Sequence, residues 1–108
     1  MKQFKNKYII DFSNVQHYLE IHLIIKKALD FPDDYGCNWS AFWDCLTDMY
    51  GDLIHIEIIG LDAIERKFDG SASMIIKILK RFKHFCNDMF SDDILIEIVT
   101  GNEREEIK

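Results

Sequence analysis

Three short β-branched runs, Tyr8 to Ile10, Leu53 to Ile59 and Ile94 to Val99, recur along this chain with stretches of helical periodicity between them. Strands joined by a few residues close as hairpins, whereas strands separated by helices need crossover connections, which lay them parallel. The pattern therefore predicts an α/β domain: a three-stranded parallel sheet flanked by four helices.

The helices are readable from spacing and caps. A first runs from about Tyr18 to Leu29, with Leu19, Leu23, Ile24, Ala28 and Leu29 on its apolar positions and Pro32 closing it. Asn38 is a good N-cap for a second, from Trp39 to about Tyr50, with Gly51 placed to end it. A short third covers Leu61 to Phe68, with core contacts at Leu61, Ile64 and Phe68. After a turn at Asp69 and Gly70, Ser71 or Ser73 caps a fourth that reaches about Phe90. Its stripe is Met74, Ile78, Phe82, Phe85 and Met89, widened by Ile75, Leu79 and Cys86. Ser91 to Asp93 form the next turn. Residues 1–100 thus read as a single domain, and 101–108 as a charged, solvated tail.

With 108 residues, 48% of them hydrophobic, the chain has material for one real core. Three cysteines, Cys37, Cys45 and Cys86, make an odd set without CxxC spacing, which argues against a disulfide framework or a zinc site and for a reducing compartment. The apolar run after the N-terminal lysines stops at Asp11, too soon for a signal-peptide core. No apolar stretch approaches the roughly 20 residues of a membrane span. The expectation is a cytoplasmic monomer that binds no membrane, metal or cofactor.

Charge is the next constraint. Six of the 19 acidic residues are aspartates lying between Asp30 and Asp52, a window without lysine or arginine; the remaining 13 balance the 13 lysines and arginines. The entire net charge of −6 is therefore held in about a fifth of the chain, where it can focus a field on a basic partner. The second helix lies inside this window. Its core stripe is Phe42, Cys45, Leu46 and Met49, while Trp39, Ser40, Trp43, Asp44 and Thr47 share another face that a core helix does not need. The plainer reading makes both tryptophans half-buried core aromatics, Asp44 an ordinary helical carboxylate and the window a solubilising surface.

The succession Pro32, Tyr35, Gly36, Asn38, Ala41, Trp43, Asp44, Cys45 and Leu46 resembles the barstar family, intracellular inhibitors of the secreted ribonuclease barnase. The resemblance covers roughly Tyr8 to Val99, since the order of elements also fits. It implies inhibition by occlusion, with the second helix and the loop before it inserted into the site of a basic secreted or toxin nuclease. Asp44 would then stand in for an RNA phosphate, because a carboxylate satisfies the same cationic donors. By the same resemblance Gly36 allows close backbone approach, Asn38 caps the helix and touches the partner, and Tyr35 supplies aromatic area. Trp39 and Trp43 flank Asp44 and exclude water, and Thr47 extends the face by a turn.

The chain also departs from the family, which has an aspartate at Ser40, a tyrosine at Asp34, a leucine at Trp39 and glutamates aligned with Lys80 and His84. Asp34 relocates the charge missing at Ser40. The substitutions at Lys80 and His84 point to an immunity protein against a nuclease other than barnase. A non-inhibitory interaction module of the same fold is the alternative.

Two other classes are weighed against this. The cluster Lys77, Lys80, Arg81, Lys83 and His84 reads as a solvated helix face balancing nearby carboxylates, and the acidic net charge argues against nucleic-acid binding. A catalytic role is not indicated: no motif joins Cys37 or Cys45 to His55, and His17 and His22 are five apart rather than the four of a helical metal pair. GxGxxG, GK[ST] and HExxH are all missing from the sequence.

Overall fold

The computed structural model describes residues 6–49, 54–90 and 94–108. Its elements, in chain order, are β1 (Asn6–Asp11), α1 (Tyr18–Ala28), α2 (Trp39–Thr47), β2 (Ile54–Ile59), α3 (Leu61–Lys67), α4 (Ser71–Phe90), β3 (Ile94–Thr100) and β4 (Glu103–Glu106). The expected helix end at Gly51, the strand start at Leu53 and the turn from Ser91 to Asp93 lie outside the described residues.

β1, β2 and β3 pair in parallel, as their helical connections require, with Ile10 opposite Ile58 and Ile56 opposite Ile96. The sheet has four strands rather than three. Residues expected to be a solvated tail form β4, antiparallel to β3 with Thr100 opposite Glu103, and Ile107 N–H donates to the Ile96 carbonyl at 2.8 Å. β4 escaped detection because all four of its residues are charged and exposed. Backbone pairing holds such an edge strand, and its charges keep the edge from templating aggregation. Gly101, at φ 59°, turns the chain between the two strands.

Strand alternation gives the sheet two unlike faces. Ile10, Ile54, Ile56, Ile58, Ile94 and Ile96 are buried in one core with the apolar sides of the helices. The other face carries an ion cluster. Glu57 meets Arg104 Nη1 at 2.5 Å and Lys7 Nζ at 3.1 Å, and Glu97 meets His55 Nε2 at 2.6 Å. His55, Glu57 and Glu97 bring ligand atoms within 4.8 Å of one another, but cationic side chains already neutralise the carboxylates.

α2, α3 and most of α4 bury their expected stripes, whereas α1 is turned and Met74 of α4 falls outside the core. In α1, Ile21, His22 and Ile25 are buried, whereas Leu19 and Leu23 are about half exposed. In α4 the core line is Ile75, Ile78, Leu79, Phe82 and Cys86, with Met74 outside it. Both segments have apolar residues around much of the circumference, so packing selects the face. The start of α4 is capped from α3: Glu65 accepts the Gly70 and Ala72 N–H groups, while the Ser71 hydroxyl donates to the Ile64 carbonyl. Those two amide bonds hold the Glu65 carboxyl below its ordinary range. Among the described residues no helix is long and apolar enough to cross a membrane.

Candidate functional site

The loop from Phe31 to Asn38 is fastened to the core by its own aromatics. Phe31 and Tyr35 are both buried, with ring centres 5.2 Å apart, and the Tyr35 hydroxyl is hydrogen-bonded to Nδ1 of buried His22 at 2.9 Å. Tyr35 was expected to offer aromatic area to a partner. At 7% exposure it supports the loop from beneath instead, because buried His22 offers its hydroxyl a partner inside the core, while Asp33 and Asp34 stay exposed. Burial raises the Tyr35 phenol well above its ordinary range and lowers His22, so both are neutral partners.

The entry into α2 is set locally. Asn38 Oδ1 accepts the Ala41 N–H at 2.7 Å, and its Nδ2 donates to the Gly36 carbonyl at 3.2 Å, so one side chain both caps the helix and clamps the loop. Between them Cys37 sits at φ 52°, in the left-handed region, a conformation that costs a non-glycine residue about 1 kcal/mol. Gly36 is exposed, and a Cβ there would come within 3.2 Å of Asn38 Nδ2.

On α2, Phe42 and Leu46 are fully buried and the remaining face looks outward. Ser40 and Asp44 are exposed, and Trp39, Trp43 and Thr47 are half-buried. The Trp39 ring lies 4.5 Å from His22, and Trp43 meets Phe85 edge-on at 5.9 Å. The Thr47 hydroxyl donates to the Asp44 carbonyl at 2.8 Å. Asp44 stands near the C-terminal end of a helix with no basic residue in its last turn. The helix dipole disfavours a carboxylate there by a few tenths of a kcal/mol.

Trp39, Trp43 and Asp44 form one wall of a groove of about 350 Å³ whose other wall, from α4, carries Met74, Lys77, Ile78 and Arg81. Arg81 lies with its guanidinium carbon 4.0 Å from the centre of the Trp43 ring. Sequence reasoning missed this wall, for it had set the lysines and arginine apart on a solvated face; nothing local in either helix records that the two faces meet. The cluster also splits. Lys83 is buried, its ammonium donating to the Ile94 carbonyl, while Lys77, Lys80, Arg81 and His84 remain exposed.

The nucleophile candidates are held apart from such chemistry. Burial first, then Asp48, Asp34 and Asp44, push the Cys45 thiol up, away from thiolate. His55 is on the sheet face opposite the core, engaged with Glu97.

A small α/β domain thus presents a capped loop, two half-buried tryptophans and an exposed carboxylate along one open groove. The chain is a member of the barstar family: the family model described as Barstar (barnase inhibitor) matches residues 6–97. It is also 49% identical over 41 residues to a Bacillus subtilis (strain 168) protein named "Putative ribonuclease inhibitor YrdF". That match covers 38% of this chain and 45% of the relative, less than half the length of either.

Proposed function

We propose that this chain is an intracellular inhibitor, an immunity protein, of a cationic ribonuclease or related nuclease toxin. It occludes the enzyme's site with the loop from Asp30 to Asn38 and with α2, and Asp44 substitutes for a substrate phosphate. The observation that carries the reading is an exposed Asp44 on a groove wall shared with half-buried Trp39 and Trp43. A carboxylate on a rigid, partly apolar surface loses less water and less side-chain freedom on binding than one on a mobile loop. Its unfavourable position on the helix dipole is explained by a role in binding rather than in stability. Family membership and the relative's name support the same class of activity. Asp34, Gly36, Asn38, Ser40 and Thr47 complete the contact face around these three, and the chain acts by stoichiometric binding rather than turnover.

The test is a panel of small basic ribonucleases and toxin nuclease domains, each assayed for RNA cleavage with and without the purified protein. One-to-one inhibition is expected for at least one nuclease, with Asp44→Ala weakening it by about 2 kcal/mol or more, as for a central interface anchor. Full inhibition by the Asp44→Ala protein would reject Asp44 as the phosphate substitute.

A further inference from the structure

Asp44 shares its groove with two cations, Lys77 and Arg81, and they begin a longer ridge. Lys77, Lys80, Arg81 and His84 follow the spacing i, i+3, i+4, i+7 on α4, line a second shallow cleft, and run about 10 Å along one helix face. All four are exposed; among the described residues none forms an ion pair with an acidic side chain, and His84 Nε2 lies 3.4 Å from the Lys108 main-chain oxygen. The helix itself offers little compensation, since Asp88 is the one acidic residue between Ser71 and Phe90. Cations one turn apart without interleaved carboxylates repel and weaken a helix. Lys80 also borders Glu105 and Glu106 of β4 across a cleft, again without pairing.

From this we infer that the groove recognises a partner of mixed charge: a cationic pocket that receives Asp44 and, directly beside it, an acidic protein segment laid along the Lys77, Lys80, Arg81 and His84 ridge. The inference rests on the inhibitor reading and adds what the target carries next to its phosphate site. Arg81 is the pivot. Stacked on Trp43, it makes no hydrogen bond to a described residue, so its fork is preoriented for a carboxylate. An acidic segment of protein is the occupant rather than nucleic acid, because the groove's other wall is the Trp39, Trp43 and Asp44 face that meets a protein target. Such a pairing also sets orientation, since a uniformly basic nuclease would meet like charge along α4.

The probe is a hexaglutamate peptide titrated at low ionic strength into the full chain, followed by tryptophan fluorescence. A saturable change is expected, weakened at least ~5-fold, about 1 kcal/mol, in a Lys77→Glu, Lys80→Glu double variant, since both positions are exposed and the substitutions leave the core alone. Asp44→Asn is expected to keep or tighten peptide binding while losing nuclease inhibition, so the two readings fail separately. No saturable signal, or equal binding by the double variant, overturns the ridge. Tighter binding of a uridine hexanucleotide than of hexaglutamate also overturns it, by making the ridge a nucleic-acid site.

Discussion

The Tyr35 hydroxyl lies 2.9 Å from His22 Nδ1, so the acidic loop and α1 are joined by a buried, neutral hydrogen bond directly beneath Trp39. Tyr35→Phe would leave the His22 nitrogen without this partner inside the core. A loss of about 1–3 kcal/mol in urea unfolding is expected, at unchanged m-value. The sign of the pH dependence follows from His22, whose buried ring is lowered from its ordinary 6.5. The unfolded chain takes up the proton first as pH falls, so this contribution is complete above about 6.5 and is lost below it. A wild-type stability that is flat between neutral pH and 5, with histidine titrations unaltered by unfolding, would refute the assignment.

Glu57 acts in the same direction at lower pH. Its carboxyl is held below the ordinary 4.5, first by the Arg104 hydrogen bond and also by Lys7, so its contribution is present above about 4.5 and disappears as pH falls further. Arg104→Ala should destabilise the fold near neutrality, and only modestly, because Arg104 is half exposed and Lys7 remains. The loss should shrink at pH 3. Equal destabilisation at both pH values would show that packing of β4 matters rather than the charge.

Gly60 has φ 83°, and a Cβ there would meet Ser13 N at 2.6 Å and the Phe12 carbonyl carbon at 2.9 Å. Both obstacles are backbone at the end of β1, itself pinned by the Phe12 N–H donating to the Ile59 carbonyl. Gly60→Ala should therefore destabilise by about 2 kcal/mol or more, through the left-handed backbone and the clash together. Gly101→Ala lacks the clash, since nothing lies within 4 Å of its Cβ position, and should cost clearly less. Thermal melts of the two variants side by side measure the difference.

Association with the target nuclease should respond to salt through the acidic window. Raising ionic strength should slow the on-rate steeply and change dissociation little, because the focused charge acts before contact. The Lys77→Glu, Lys80→Glu variant should show a different slope from wild type. An on-rate indifferent to salt in stopped-flow measurements would exclude steering by this charge.

The legible parts of the molecule were those in which a residue's neighbours in sequence are also its neighbours in space. β1, β2 and β3 announce themselves because each carries isoleucine at positions that face the core. Asn38 acts within three residues, on Gly36 and Ala41, so its capping role needs no knowledge of the fold. The exposed carboxylate of Asp44 on a half-aromatic face was likewise a matter of helical spacing, as was the burial of Phe42 and Leu46 on the other side.

What tertiary structure alone decided involves contacts between distant segments. β4 is invisible to hydropathy because its bonds are made by backbone and its side chains are charged. Leu23 and Ile25 are equally apolar, and only the position of α1 over the sheet buries one and exposes the other. Tyr35 could have faced either way until His22 supplied a buried partner, and Arg81 joined the Trp43 groove only when α4 packed beside α2. Propensity and spacing act over a few residues and so determine elements and caps. Which faces meet is set by the summed burial of the whole core, a quantity no local window contains.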